Sequence, residues 1–399
     1  MPEQEKPYRL YRGGRVKGKV PAPPRPGRQS PGRQGPGDGD GLRYPGPGPI
    51  LPLRRKNWKK RILIGVAVLF SLLIVWGVAS YLAFRGGVKS ANARLDGSTR
   101  AALNHQGGLL LSHATTVLLL GTDHNRVGGR EGDRHSDSIM LVRADPKRHR
   151  IVYLSIPRDL HVTIPGGGEA KINAAFQAGG PALALKTVRA FTGLPINHVI
   201  VVDFADFEDL IDKLGGITVD VPAPIVSNRF DCPYASDARC RDWQGWRFAK
   251  GRQHMNGRRA LIYSRIRENR LNPAESDVTR AERQQRVLQA IAAKLTGIGT
   301  FVKLPFVGGD LLKPLATDLT ANQFLQLGWV KFRAPTGRAL HCRLGGDPST
   351  AGGQSVIEPT EDNREVIAMV LGVSAPQPPR PGSGLYGPGC VIGDAKLGR

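Results

Sequence analysis

The chain has 399 residues, 57 Lys plus Arg against 33 Asp plus Glu, and a formal charge of +24. A hydrophobic content of 40% supports a real core and excludes wholesale disorder. Four cysteines are too few for a cysteine scaffold, and none is spaced with histidine as in a zinc finger.

Residues 1–61 hold 16 Lys/Arg and 4 Asp/Glu together with 12 Pro and 11 Gly. With almost no apolar clusters, this stretch cannot bury enough surface to offset chain entropy and reads as a disordered basic tail. Such charge could serve nucleic acid, but the next segment argues for a membrane. Ile62 to Phe84 contains no charged side chain and as a helix is about 35 Å long, enough to cross the hydrocarbon layer. About sixty residues precede it, unlike a cleaved signal peptide. Arg54, Arg55, Lys56, Lys59, Lys60 and Arg61 crowd its N-terminal side, whereas only Arg85 and Lys89 follow closely. The basic side stays in the cytoplasm, where anionic lipid attracts it. A single-pass type II membrane protein is expected, with its folded domain extracytoplasmic and no nucleic-acid partner. An oxidising compartment permits disulfides: Cys232 with Cys240 across a short loop, which leaves Cys342 with Cys390.

Residues 85–114 read as a linker and a lead-in helix. Short apolar strands follow at Thr116–Leu120, Ser138–Arg143 and Ile151–Ile156, with Asp145-Pro146 as a turn. Pro181–Phe191 has helical periodicity, and His198–Val202 is a strand. Asp203 is placed to cap a helix whose Phe204, Phe207, Leu210, Ile211 and Leu214 share a face and which Gly215-Gly216 ends. A strand at Ile217–Val221 comes next, then a long helix over 276–296. Thr320 caps a last helix to Val330, and Arg338–Leu344 is expected as an edge strand. Beyond about 345 the chain is expected to be loose except for a short helix near 362–371. Alternating strands and helices argue for a layered α/β domain over 115–345 with helices on both faces; 346–399 is a partly disordered extension.

Four polar segments stand out. Asp123 ends one apolar strand and Asp137 precedes another, a pair that could hold a hard divalent cation against phosphate oxygens or simply form caps and turns. Arg158 emerges where strand 151–156 ends, with Asp159 placed to brace it. Lys171 follows Gly166-Gly167-Gly168 and precedes a helix, without the spacing of a phosphate loop. Tyr263-Ser264-Arg265-Ile266-Arg267 alternates, which on a strand puts both arginines on one face. Asp277, Arg280 and Gln284 share a helix face, whereas Arg283 and Arg286 read as solvated. Arginines converging on one point suit an anion with several oxygens.

In this order, Leu118–Asp123, Ser136–Met140, Ser155–Asp159, Lys171–Ala174, Val202–Phe207, Leu214–Val219, Ala260–Arg267 and Asp277–Gln285 resemble the LytR-CpsA-Psr family of cell-envelope proteins. The blocks span 116–297, the core of such domains. The resemblance implies a three-layer α/β/α sandwich with a central mixed sheet, preceded by one transmembrane helix. It also implies a phosphotransferase that moves a glycopolymer, such as a teichoic acid or arabinogalactan, from a polyprenyl-pyrophosphate carrier. The acceptor is a peptidoglycan sugar hydroxyl, and the new link is a phosphodiester. Asp123 and Asp137 then match the holders of Mg²⁺, with Mn²⁺ as the alternative ion. Arg158, Arg265, Arg267 and Arg280, helped by Lys171 and Gln284, match the clamp on the pyrophosphate. Asp277 braces them or helps deprotonate the acceptor. Phe176, Val188, Phe204, Phe207 and Leu210 are candidates for an apolar lipid slot and equally ordinary core residues. A pyrophosphate hydrolase and a non-catalytic envelope-binding regulator are the competing functions.

Overall fold

The computed structural model describes residues 58–393 except 125–133, 229–230, 235, 267, 274–276, 296–298, 300–302, 304–305, 307 and 385. The basic tail before Trp58, Arg267 and the side chains of Asp123, Asp137, Phe204 and Asp277 lie outside that description.

The chain opens with helices α1 (Trp58–Ala93) and α2 (Gly97–Ala102), the latter capped by the Asp96 carboxylate accepting from the Thr99 amide. Strands β1 (Thr115–His124), β2 (Arg134–Asp145), β3 (Arg150–Ile156), β4 (His161–Ile164) and β5 (Gly168–Lys171) follow. Then come α3 (Ala174–Thr192), β6 (His198–Asp203), α4 (Phe204–Lys213), β7 (Ile217–Val221) and β8 (Ile225–Val226). Next are α5 (Asp237–Arg241), β9 (Arg247–Phe248), β10 (Gly251–Met255), α6 (Gly257–Arg265) and α7 (Asp277–Leu295). The last part holds β11 (Leu315–Thr317), α8 (Ala321–Arg333), β12 (Leu340–Arg343), β13 (Gly346–Ala351), β14 (Gln354–Pro359), α9 (Asp362–Leu371) and β15 (Gly389–Ile392).

Seven strands form one mixed sheet in the order β11-β6-β1-β2-β3-β12-β15. β1 is parallel to β6 and β3 to β12, while β2 is antiparallel to both β1 and β3. Four strands, β1, β3, β6 and β12, therefore end at the same edge of the sheet. Apolar residues alternate along the sheet. Leu118, Leu120, Ile139, Leu141, Val152 and Leu154 face one way and pack under Leu185 and Val188 of α3 and Val366 and Val370 of α9. The other face offers Ala144 and Ile151 to Val330 and Ala334 near the end of α8. Helices on both faces of a mixed sheet make the expected sandwich. A second cluster joins α4, β7, α6 and α7 through Ile211, Val219, Tyr263 and Val287.

Three local expectations fail. The Tyr263–Arg267 stretch is not a strand: Asn256 accepts from the Arg259 amide and starts helix α6, which buries Ala260, Leu261, Tyr263 and Ser264. β12 is not an edge strand but an interior one, because the segment expected to be loose supplies β15, paired with β12 from Leu340↔Ile392 to Arg343↔Gly389. Arg85–Ala93, expected within a linker, continues α1 and buries Val88 and Ala91. Both cysteine pairs are bridged, Cys232–Cys240 and Cys342–Cys390.

Candidate functional site

The site begins at the edge where the four parallel strands end, the place where open α/β sheets keep their ligands. Asp123 lies opposite His135, and Asp137 is the extra residue where the β1–β2 register slips between Gly121 and Thr122. The two lie on adjacent strands at that slip. Two carboxylates are the residue type that could hold a hard divalent cation. Among the described residues, no group of three or more His, Cys, Asp and Glu forms a further metal site.

Arg158 leaves the end of β3. Its Nε is 3.4 Å from Asp159 Oδ2, and Lys171 Nζ donates to Asp159 Oδ1 at 2.8 Å. All three are partly buried, and the bracing expected of Asp159 is present. Asp159 thus holds two cations at once. Lys171 gets there because Gly166 and Gly168, with φ of 78° and 81°, close the tight β4–β5 turn. The Ile172 and Asn173 amides then donate to the Leu160 and Arg158 carbonyls and fold the turn onto the arginine. The glycine run shapes a hairpin rather than a phosphate loop.

Helix α7 brings Arg280 and Gln284, 5% and 8% exposed. Arg283, expected to be solvated, is as deeply buried at 4%, and both its terminal nitrogens donate to Thr279 Oγ1. α7 packs against α6 and β7, which turns that side inward. Arg265 is exposed in the last turn of α6. Asp277 is the first residue of α7.

The sequence reading passed over Arg343. It ends β12 in register with Ser155, only 3% exposed, and donates through Nε and Nη2 to the Gly387 carbonyl. Burial pulls its pKa down to about 10, and the charge of Glu282 on α7 partly offsets this. The available sequence signal was an arginine closing an alternating apolar strand.

The five lipid-slot candidates do not share one cluster. Phe176 and Val188 sit between α3 and the sheet, whereas Phe207 and Leu210 belong to the α4–α6–α7 cluster.

The profile of the LytR_cpsA_psr family matches residues 80–337. The Bacillus subtilis polyisoprenyl-teichoic acid–peptidoglycan teichoic acid transferase TagV is 30% identical over 276 residues, 67% of each chain. The Staphylococcus aureus (strain COL) regulatory protein MsrR is 32% identical over 215 residues, 53% of this chain and 59% of its own. The crystal structure of B. subtilis TagV superposes with a TM-score of 0.52 at 28% identity, covering 65% of this chain and 96% of that one. TagT bound to LIIa-WTA superposes at 0.51 and 26% identity, covering 67% and 95%.

Proposed function

The chain belongs to the LytR_cpsA_psr family, and from that premise we propose that it is a membrane-anchored phosphotransferase joining a lipid-linked glycopolymer to peptidoglycan. The observation that carries the proposal is the cationic pair at the sheet edge, Arg158 and Lys171 braced by Asp159; Arg280, buried on α7, joins it by family resemblance. The transferase names of relatives such as TagV support it, and the apolar run within α1 supports membrane anchoring.

The donor is a polyprenyl-pyrophosphate glycopolymer. A peptidoglycan hydroxyl attacks the phosphorus bearing the glycopolymer, the bridging P–O bond breaks, and polyprenyl phosphate leaves. The hydroxyl proton passes to a base, a role that family resemblance gives to Asp277 at the start of α7. Such transfer depends on alignment and charge stabilisation more than on a covalent nucleophile. Arg158, Arg265 and Arg280 grip the pyrophosphate oxygens, and Lys171 and Gln284 add donors. Arg267 completes the set by family resemblance. Asp123 and Asp137 would hold Mg²⁺ or Mn²⁺, which when bound neutralises charge on the pyrophosphate. Asp159 holds Arg158 and Lys171 in position.

The test uses the full chain in detergent with Mg²⁺, a short polyprenyl-pyrophosphate oligosaccharide and uncrosslinked glycan strands. Mass spectrometry is expected to find glycan carrying the oligosaccharide through phosphate, and to lose it in Arg158→Ala and Arg280→Ala. Polyprenyl phosphate release without joined glycan would assign the chain to hydrolysis instead. Binding without turnover would assign it to a regulatory role of the kind that MsrR's name describes.

A further inference from the structure

Helix α8 has two apolar faces. Leu327, Val330 and Ala334 pack on the sheet. On the outside, Leu325, Trp329 and Phe332 form a stripe at i, i+4 and i+7, and are 54%, 52% and 76% exposed. Trp329 and Phe332 stack with ring centroids 5.7 Å apart. The stripe widens at its side, where Gln326 accepts from the Leu110 amide and holds a turn presenting exposed Leu109 and Leu111. Arg333 and Arg338, both exposed, lie at its C-terminal end. Soluble surfaces rarely leave so many neighbouring large apolar side chains to water.

The surface is continuous with the apolar run. Tyr81 donates to Asn322 Oδ1 at 2.9 Å, and Phe84 packs edge-on against Phe324 at 6.0 Å. Tyr81 and Phe84 close the run that begins at Ile62, and they touch the first turn of α8. A helix fixed there starts within about one helix diameter of the bilayer surface, 10–12 Å. Its exposed Trp, Phe and Leu beside arginines match the chemistry of the headgroup–acyl boundary.

We propose that the outer face of α8, with Leu109 and Leu111, docks on the lipid bilayer and seats the folded domain against the membrane. The inference rests on the membrane-anchored reading above. Arg333 and Arg338 meet lipid phosphates while Leu325, Trp329 and Phe332 enter the boundary. The sheet edge carrying the site then keeps a fixed posture toward a substrate that arrives in the same bilayer.

The test uses the full chain in phosphatidylcholine–phosphatidylglycerol nanodiscs whose lipids are brominated high on the acyl chain. Trp329 emission is isolated as the difference between wild type and Trp329→Phe, and Trp76 emission as the difference from Trp76→Phe. Loss of Trp329 emission comparable to that of Trp76, relative to unbrominated lipid, is expected. Trp76 quenched with Trp329 unchanged would overturn the docking and leave the anchor standing. Neither quenched would overturn both. Cross-linking of α8 to α8 of a second copy without lipid quenching would also overturn it, assigning the face to self-association.

Discussion

At the residue scale, the cations define what the proposed site can do. Arg158→Ala or Arg280→Ala is expected to lower transfer at least about 100-fold with the fold intact, as losses of charge-stabilising groups do, checked by product formation beside circular dichroism. Arg343 bears on stability. Its buried charge costs roughly 3 kcal/mol, while its bonds to Gly387 return about 1–3 kcal/mol. Arg343→Met should therefore leave the melting temperature within a few degrees of wild type. The alkaline limb gives a sharper sign. Burial pulls Arg343 down to about 10, well below its ordinary value, so its contribution to stability rises with pH above that point. Tyr153, buried and stacked on His341, is pushed up to about 12 from 10. Its contribution is complete below pH 10 and is lost as pH rises through 12. Tyr153→Phe should remove one late-ionising phenol from an ultraviolet titration and flatten that loss. Arg158 and its Asp159 brace were legible because strand end and partner are adjacent in sequence. The burial of Arg283 was not, because its local pattern also fits a wet helix and only packing against α6 and β7 decides.

At the element scale, the α6 error is instructive. Alternation over five residues fits a strand, but two signals just upstream favour a helix, Asn256 as cap and Gly257 as a point of close approach. A Cβ on Gly257 would strike the Glu208 carbonyl of α4, and the Gly257 amide donates to Asp212 there at 2.7 Å. Gly257→Ala is expected to push α6 off α4, lower the melting temperature and reduce transfer by displacing Arg265. A normal melt with normal turnover would show that the contact yields. The central strands were legible from apolar runs, and Thr320 marked the start of α8 correctly, where it closes a capping box with Gln323. β15 was hidden because four residues inside a Pro- and Gly-rich end carry almost no periodicity, and only pairing with β12 makes them a strand.

For the whole molecule, the C-terminal part is a buttress rather than an appendage. The Ile357 amide of β14 donates to the Asp159 carbonyl at 2.9 Å, His161 and Glu358 pair at 2.7 Å, and Gly387 receives Arg343. α9 also covers the main core. Cutting the chain after Gly345, just beyond the family match, is expected to yield misfolded protein with exposed apolar surface, seen as dye binding and loss of a cooperative melt. A milder cut, Cys342→Ser with Cys390→Ser, should cost about 2–4 kcal/mol and raise amide exchange in β15.

Helix α1 runs without a break from Trp58 to Ala93, and its upper turns are cemented into the domain through Val88, Ala91 and the Asn92 side chain, which donates to the Leu319 carbonyl. With its apolar run in a bilayer, such a helix is a post and not a leash. Adding residues below Tyr81 would raise the domain by about 1.5 Å each rather than widen the area it sweeps. On the proposed activity, the site would then work at one altitude, and a glycan acceptor would have to descend to meet it.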